Sequence, residues 1–261
     1  MKKLKIVKIG GTILDSESDL DHVLDNFSAM NGPKILVHGG GKLASELSRK
    51  LGIIPQMHQG RRITSEEDLR IVTMVYAGWI NKNLVVQLQH RGCQAVGLSG
   101  ADANTIVSEK RPVKETDYGW VGDVKKVNSQ WISMLMEQGL APVFSAITHD
   151  GSGHLLNTNA DTIASELGAG LSSIYQTELI YIFEKKGVLS NINNDESVLE
   201  KLNWKGFEEG KNKGQFLNGM LPKLHNGFEA LKRNVHSVKI GNPAVLTSDS
   251  SVCTRLILDS K

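Results

Sequence analysis

Residues 4–12 read LKIVKIGGT, an alternating apolar stretch that ends in two glycines. The alternation is typical of a β-strand over 4–9, and Gly10-Gly11 predicts a tight turn directly after it. The pattern recurs at residues 34–42, KILVHGGGK, where a short apolar run is followed by three glycines. Each turn precedes a segment whose apolar residues have helical spacing. Strand, glycine turn and helix in this order predict parallel βαβ units.

The rest of the chain continues this alternation. Further strands are predicted near 93–98, 142–147, 179–183, 235–240 and 252–258, and helices over 16–30, 65–90, 128–138, 159–169 and 219–233. Two stretches, 103–124 and 147–157, interrupt it with glycine turns and are predicted to be antiparallel. We therefore predict an α/β fold: an open, mainly parallel, three-layer αβα sheet with helices on both faces and antiparallel hairpin excursions. No linker appears, so residues 1–261 are expected to form a single domain with a soft division near 170–178.

The composition excludes several classes of protein. The 261 residues are 40% hydrophobic and 22% charged, which excludes a disordered chain. A formal net charge of +2 without long basic runs argues against nucleic acid or a membrane surface as a partner. Lys5 and Lys8 interrupt what would be the apolar core of a signal peptide. Cys93 and Cys253 form no metal or redox motif, so we expect a soluble, cytoplasmic protein.

Several common catalytic motifs are missing. Gly41-Lys42 is followed by Leu43, which breaks the P-loop pattern, and the Gly-Ser-Gly at 151–153 lacks the third glycine of a dinucleotide fingerprint. The chain also contains no Gly-x-Ser-x-Gly elbow and no His-Glu-x-x-His pair. Zinc, serine-hydrolase and ordinary dinucleotide chemistry are therefore disfavoured.

The two glycine turns are candidate anion sites. Without Cβ atoms, backbone N–H groups at the carboxyl end of a parallel strand can approach a phosphate, and the helix dipole adds to the attraction. Each turn taken alone could also be purely structural. Lys8 lies inside the apolar strand two residues before Gly10, where a plain surface lysine is not expected. There it would point its ammonium toward phosphates held by the turn.

Three more segments carry polar residues of interest. In the segment NTNAD, residues 157–161, helix capping alone could explain the polar residues. One of the first three would cap the following helix, and Asp161 would lie in its first turn, where the helix dipole favours an acidic side chain. Lys223 lies in the first turn of a predicted helix, where the dipole disfavours a cation, and this makes it a better functional candidate. Arg62 belongs to a pair of loop arginines that could be ordinary solvated surface charge.

Taken together, these segments resemble the amino acid kinase family over essentially the whole chain. The resemblance rests on six motifs in the family's order: KIGG at 8–11, HGGG at 38–41, GRRIT at 60–64, GLSGAD at 97–102, NTNAD at 157–161 and GMLPK at 219–223. The GRRIT segment before a long helix is similar to the branch that acts on N-acylated glutamate. It separates the chain from the carbamate, aspartate and uridylate kinases, which share the glycine loops.

The resemblance implies ATP-dependent phosphorylation of the γ-carboxylate of N-acetyl-L-glutamate to N-acetyl-γ-glutamyl phosphate, a step of arginine biosynthesis. It implies that Lys8 and Lys223 neutralise charge on the transferring phosphoryl group while Asp161 holds both ammonium groups. Magnesium would arrive with ATP, so no metal-binding residue is expected. The other site residues that it implies are the backbone donors Gly10, Gly11, Gly40 and Gly41 and the substrate ligands Arg62 and Asn157.

The resemblance also implies two lobes. Residues 1–174 would bind the amino-acid substrate and form a homodimer, and residues 175–261 would bind ATP and ADP. The chain starts at its first strand, without the N-terminal helix of hexameric relatives, so a homodimer without strong arginine feedback is expected. The FEKKG segment at 183–187 departs from the family's Ser-Asp-x-x-Gly turn, which leaves the adenine and ribose contacts open.

Three alternatives stay open from the sequence. The substrate could be N-succinylglutamate, because the residues do not decide the acyl group. The chain could phosphorylate another carboxylate or a carbamate, although Arg62 and Asn157 argue against this. It could also be a non-catalytic amino-acid or nucleotide sensor, although the lysines and Asp161 are retained. A carboxylate acceptor is already ionised at neutral pH and needs no general base, which agrees with the lack of a poised His–Asp pair.

Overall fold

The structure, a computed structural model, describes residues 1–58, 60–216, 219–248 and 251–259. The strands are β1 (Lys3–Ile9), β2 (Lys34–His38), β3 (Gln56–His58), β4 (Arg61–Ile63), β5 (Ala95–Leu98), β6 (Ile106–Lys110), β7 (Gly122–Val127), β8 (Ala141–Phe144), β9 (Ile147–His149), β10 (Leu155–Asn157), β11 (Gln176–Ile182), β12 (Lys201–Asn203), β13 (Ser237–Gly241) and β14 (Thr254–Ile257). The α-helices are α1 (Gly11–Leu14), α2 (Glu17–Ala29), α3 (Gly41–Lys50), α4 (Glu66–Thr73), α5 (Asn81–His90), α6 (Ser129–Glu137), α7 (Ala160–Leu171), α8 (Trp204–Asn212) and α9 (Met220–Lys232). A π-helical turn (Met74–Ile80) joins α4 to α5, and two short 3-10 helices occupy Asp102–Asn104 and Pro243–Leu246.

An eight-stranded central sheet organises the molecule, in the order β12-β14-β13-β11-β1-β2-β8-β5. Within the described ranges, its neighbouring strands run parallel except for the antiparallel pair β13–β14. The predicted mainly parallel α/β sheet is therefore confirmed. Because β13, β11, β1, β2 and β8 are parallel, their carboxyl ends meet at one edge, where ligands bind in folds of this type.

Strand β1 lies in the middle of this sheet and is covered on both sides. Ile6 approaches Gly168 of α7, so the even-numbered positions of β1 face that helix. Val7 and Ile9 point to the opposite face and are also fully buried. Burial of both faces is what parallel sheets require, and it explains the nearly continuous apolar run that starts the chain.

The predicted antiparallel excursions form a second, four-stranded sheet in the order β10-β9-β6-β7. Its pairs β6–β7 and β9–β10 are antiparallel, as expected from the turn signals in 103–124 and 147–157. The strand predicted over 142–147 is in fact two strands, since β8 ends at Phe144 and β9 begins at Ile147. The chain thus leaves the central sheet between these residues and enters the smaller one.

A small hairpin, β3–β4, precedes the long helical segment and was not predicted. Ser65 caps that segment by accepting a hydrogen bond from the backbone N–H of Asp68. Over the described part of the chain, no helix has the length and apolar character that crossing a membrane requires. Cys93 and Cys253 are both buried and free.

Candidate active site

The two glycine turns lie at the carboxyl ends of neighbouring strands, as predicted. Gly10 is the N-cap of α1 and Gly40 the N-cap of α3, and neither helix start has a side-chain cap. By contrast, polar side chains such as Ser65 and Asn159 cap α4 and α7. The first N–H groups of α1 and α3 are therefore left for an anion, which suits a phosphate.

The backbone conformation and the packing at position 40 also require a glycine. Its φ of +150° is one that other residues rarely adopt, and an added Cβ would overlap the side chain of Ile80 and crowd Tyr76. A larger side chain at this position would therefore disturb the packing of the fold as well as the turn. Gly11 differs, because an added Cβ there meets no atom within 4 Å.

Two lysines share one carboxylate oxygen. The Nζ atom of Lys8 lies 2.7 Å from Oδ1 of Asp161, and Nζ of Lys223 lies 3.0 Å from the same atom. Lys8 belongs to the central strand β1, Asp161 to the first turn of α7 and Lys223 to the first turn of α9. All three side chains are at most 10% exposed. The structure thus brings together the three residues predicted to be catalytic.

The charges of this triad are set by competition between burial and pairing. Burial opposes ionisation of Asp161, but Lys223 and Lys8 outweigh it and lower the pKa of the carboxyl to about 2. Burial also dominates at Lys223, where Asp161 compensates only in part and Lys8 repels, so the pKa falls to about 8. The site therefore holds more positive than negative charge in a place with little water. Such a site is prepared for an anionic transition state.

Arg62 and Asn157 are also fixed in place. Arg62 is 7% exposed, and its guanidinium donates to Asp68 Oδ1 at 3.1 Å and to Ser45 Oγ at 2.5 Å. It is therefore not the solvated loop residue that its sequence context also allowed. Asn157 donates from Nδ2 to Thr64 Oγ1 at 3.0 Å. These bonds fix both side chains in the wall of one cavity.

Most of the predicted residues line one cavity of about 510 Å³: Lys8, Gly11, Gly40, Gly41, Arg62, Asn157 and Asp161. Lys223 joins this group through Asp161, and Gly10 stands next to Gly11 at the start of α1. The cavity opens at the carboxyl ends of the central strands. It combines backbone donors, two ammonium groups and a buried guanidinium, a set of groups suited to bringing two anions together.

His38 is a site residue whose role the sequence did not reveal. It is fully buried at the end of β2, and burial lowers its pKa to about 4, so the ring is neutral at pH 7. Its Nδ1 donates to the carbonyl of Gly39 at 2.9 Å, and its Nε2 accepts from Asn81 Nδ2 at 3.0 Å. The ring thus anchors the glycine turn to α5 instead of moving protons.

The FEKKG segment follows β11 at the same edge of the sheet. Thr12 of α1 donates to Glu184 Oε2 at 3.0 Å, which ties this segment to the first glycine turn. Lys185 and Lys186 form exposed ion pairs with Asp195 and Glu196, each at 2.8 Å. Among the residues that the structure describes, no group of three or more His, Cys, Asp or Glu side chains could hold a metal ion.

Comparisons with known proteins agree with this geometry. A sequence profile of the amino acid kinase family matches residues 3–242. An acetylglutamate kinase of Cytophaga hutchinsonii is 52% identical over 241 residues, covering 92% of this chain and 91% of that protein. An acetylglutamate kinase of Bacteroides fragilis is 49% identical over 248 residues, covering 95% of each chain. The solved structure of carbamate kinase from Giardia lamblia bound to AMP-PNP shares the fold, with a TM-score of 0.71, 13% identity and 99% of each chain covered.

Two uncapped glycine turns beside two lysines on one carboxylate are the arrangement that a phosphotransferase of the kinase class needs. The match over nearly the whole chain then settles the family. The chain belongs to the amino acid kinase family.

Proposed function

We propose that this chain transfers the γ-phosphoryl group of ATP to the γ-carboxylate of N-acetyl-L-glutamate, giving N-acetyl-γ-glutamyl phosphate and ADP in arginine biosynthesis. The observation that carries the proposal is the pair Lys8 and Lys223 on Asp161, in contact with a cavity that also holds Arg62 and both glycine turns. Relatives about half identical to this chain bear the name acetylglutamate kinase.

The chemistry needs positioning and charge neutralisation above all. A carboxylate and a triphosphate repel each other, and the transition state spreads negative charge over the equatorial phosphoryl oxygens. Lys8 and Lys223 supply the opposing charge, with Lys223 on the side of the leaving ADP. Asp161 keeps the two ammonium groups together when no phosphate is bound. Since a glutamate carboxyl has a pKa near 4.3, the acceptor is ionised at neutral pH and the site needs no general base.

The amino-acid substrate is held by its other carboxylate. Arg62 and Asn157 line the same cavity as Lys8 and Asp161, and both are fixed by bonds to neighbouring side chains. A substrate bound to them by its α-carboxylate would present its γ-carboxylate to the glycine turns. This assignment supports a dicarboxylic amino acid over a carbamate, which has no second carboxylate for Arg62.

ATP binds from the half of the chain that starts near residue 175. Loop 183–187 and Gly241 lie at the carboxyl ends of β11 and β13, beside the turn at Gly10 and Gly11. Lys223 reaches the triad from this half. Magnesium enters the site bound to ATP, so the protein itself needs no dedicated metal-binding residues. Residues 1–174 then form the lobe for the amino acid and residues 175–261 the lobe for the nucleotide.

A homodimer is proposed through the long helical segment 66–90. Trp79 and Val86 lie seven residues apart, hence on one face of the helix, and are 67% and 66% exposed. Met74 on the same segment is 56% exposed. Large apolar side chains grouped on a surface mark an interaction site. Light scattering at micromolar concentration should give twice the chain mass, and Trp79→Glu should give the monomer; a monomeric parent protein would refute this.

The activity is tested by ATP- and magnesium-dependent hydroxamate formation with N-acetylglutamate, N-succinylglutamate, free glutamate and aspartate. Turnover on an N-acylglutamate, with none on the free amino acids, is the expected result. Lys8→Met and Lys223→Met should each lower kcat by about 100-fold or more. Lys232→Met is the matched control, because Lys232 lies at the far end of the same helix as Lys223 and is exposed.

A sensor that binds without reacting is the second candidate. It would bind ATP and the amino acid and form no hydroxamate, and the lysine variants would then change affinity only. Near-normal kcat in Lys8→Met or Lys223→Met would equally contradict the proposed mechanism. The retention of both lysines and of Asp161 in one buried cluster favours catalysis.

A further inference from the structure

Tyr181 is a fully buried aromatic residue next to the lysine–carboxylate triad. It lies on β11, where the parallel register pairs it with Lys8 of β1. Side chains of paired residues on neighbouring strands point to the same face of a sheet, so the ring of Tyr181 and the stem of Lys8 both point toward α7. Because the ring is fully buried, it acts on neighbouring protein groups and not on a bound substrate.

The Tyr181 side chain also lies against the other two members of the triad. The Nζ atom of Lys223 stands over its ring, 5.0 Å from the centroid. Its hydroxyl donates to the backbone carbonyl of Asp161 in the first turn of α7, at 3.1 Å. One side chain thus connects the three elements that carry the triad, namely β1, α7 and α9.

The packing of α9 on the sheet fixes this arrangement. Gly227 lies four residues after Lys223 and therefore on the same face of the helix. A Cβ atom at Gly227 would lie 2.6 Å from Cδ1 of Leu256 and 3.7 Å from Cε2 of Tyr181. The missing side chain lets the first turns of α9 lie close to the sheet, with the Lys223 ammonium over the ring.

An aromatic ring stabilises a buried ammonium group differently from a carboxylate. Its face carries the negative part of a quadrupole, which attracts a cation and takes up no proton. A second carboxylate would cancel the net positive charge of the triad, whereas the ring leaves that charge in place for the phosphoryl oxygens. Burial and the charge of Asp161 raise the pKa of the Tyr181 hydroxyl well above its usual range, so the residue stays neutral.

We propose that Tyr181 is a positioning residue of the active site: its ring keeps the Lys223 ammonium charged, and its hydroxyl holds the start of α7 so that Asp161 stays between the two lysines. The inference rests on the proposed function, in which this charge serves phosphoryl transfer. Among the described residues, the titratable or charged groups that face Lys223 are Asp161 from α7, Lys8 from β1 and Tyr181 from β11.

The charge of Lys223 can be titrated without any turnover. In protein labelled with [ε-13C]lysine, the NMR signal that is missing from Lys223→Met belongs to Lys223, and its shift against pH gives the pKa. In Tyr181→Leu this pKa should fall by about one pH unit, the size expected for a cation–π contact away from water. Tyr181→Phe keeps the ring and should change it much less.

A control variant and a graded series separate this effect from packing. Phe228 is fully buried on α9 against Trp204 and Phe207, so Phe228→Leu removes similar aromatic volume away from the triad. It should lower the urea midpoint and leave the titration of Lys223 unchanged. One, two or three fluorine atoms on the ring of Tyr181→Phe weaken its quadrupole with little change in shape. The pKa of Lys223 should fall stepwise along this series, which also tests the proposal if Tyr181→Leu does not fold.

Enzyme kinetics connect the charge to the reaction. The alkaline limb of kcat/KM for ATP should move down with the pKa of Lys223 in Tyr181→Leu. A shift of one pH unit from about 8 lowers the charged fraction about fivefold at pH 8 and by little at pH 6. A loss of activity caused only by poorer packing would be the same at both pH values.

Every other outcome counts against a stated part of the proposal. An unchanged pKa of Lys223 in Tyr181→Leu, an equal fall in Phe228→Leu or a flat fluorine series overturns the role of the ring. A pKa that falls without moving the alkaline limb overturns its role in the reaction. If the pKa falls as expected and none of the N-acylglutamates is phosphorylated by the parent protein, the effect of the ring on Lys223 is confirmed and the kinase activity alone is refuted.

Discussion

Replacing Lys223 by methionine should make the free protein more stable while it stops the reaction. Methionine keeps the length and the apolar stem of lysine without the buried charge. Burial, countered only in part by Asp161 and reinforced by Lys8, brings the pKa of Lys223 from 10.5 down to about 8. The charged ammonium is therefore less favourable in the folded protein than in the unfolded chain.

The size of the effect follows from that pKa. Each tenfold change in proton affinity corresponds to about 1.4 kcal/mol, so the charged Lys223 destabilises the folded state by about 3 kcal/mol at pH 7. Between pH 8 and 10.5 the unfolded chain binds more protons than the folded protein, so the penalty shrinks as pH rises. At pH 10 the expected difference is about 1 kcal/mol. The stabilisation by methionine is thus largest at neutral pH and disappears in alkali.

Urea unfolding at pH 7 and pH 10, without nucleotide, measures both values. Lys232→Met on the same helix is the control, because the exposed Lys232 should contribute little at either pH. A free energy of unfolding for Lys223→Met below that of the parent protein at pH 7 would refute the reasoning. It would mean that attraction to Asp161 outweighs the loss of hydration. Stability gained at the expense of turnover is typical of residues held for catalysis.

Four more predictions concern the rest of the site. Gly11→Ala should lower kcat/KM for ATP without changing the urea midpoint, whereas Gly40→Ala should lower both, because only the latter overlaps neighbouring side chains; equal losses of stability would contradict this. Because the pKa of His38 is lowered to about 4, the unfolded chain takes up its proton first and stability should fall by about 2 kcal/mol between pH 7 and pH 5. His38→Asn should lack this part of the pH dependence. Arg62→Lys should raise the KM of the amino-acid substrate about 10-fold with a smaller change in kcat, because lysine cannot reproduce the guanidinium fork; an unchanged KM would place the α-carboxylate elsewhere. The value of kcat/KM for ATP should fall above pH 8 as Lys223 deprotonates, and an unaltered profile in Lys223→Arg would assign this limb to another group.

The architecture was predictable from the sequence because its signals are local. Apolar segments before glycine turns predicted β1 and β2, and helical spacing predicted α2, α7 and α9 within a few residues of their observed ends. The helix Trp204–Asn212 was missed, since it is short and contains two glycines. It is stabilised by distant contacts, with Trp204 and Phe207 packed against Phe228 of α9.

The sequence predicted the site residues that belong to a motif. It did not predict those whose position depends on pairing with a charged or polar side chain elsewhere in the chain. Lys8, Asp161 and Lys223 stood out because each is unexpected at its position or belongs to a motif. The burial of Arg62 depends on Asp68, six residues away on the next helix, and on Ser45 from α3. The same segment meets the chain near residue 120, where Thr64 donates to the carbonyl of Tyr118 and accepts from the N–H of Trp120. No pattern in the linear sequence signals that meeting.

The π-helical turn Met74–Ile80 holds one residue more than an α-helix of the same rise, and its wider turn absorbs that residue. The helical segments on either side therefore keep the rotational phase of one continuous helix. Ile80 lies close to Gly40, and Asn81 hydrogen-bonds His38 and the carbonyl of Val143. Deleting one residue from the π-helical turn would restore a regular α-helix and leave Asn81 facing His38, whereas deleting one residue from α4 would rotate everything after it by about 100°. Natural and engineered variants of this chain should therefore change length by one residue in the π-helical turn and keep the residue counts of α4 and α5 unchanged.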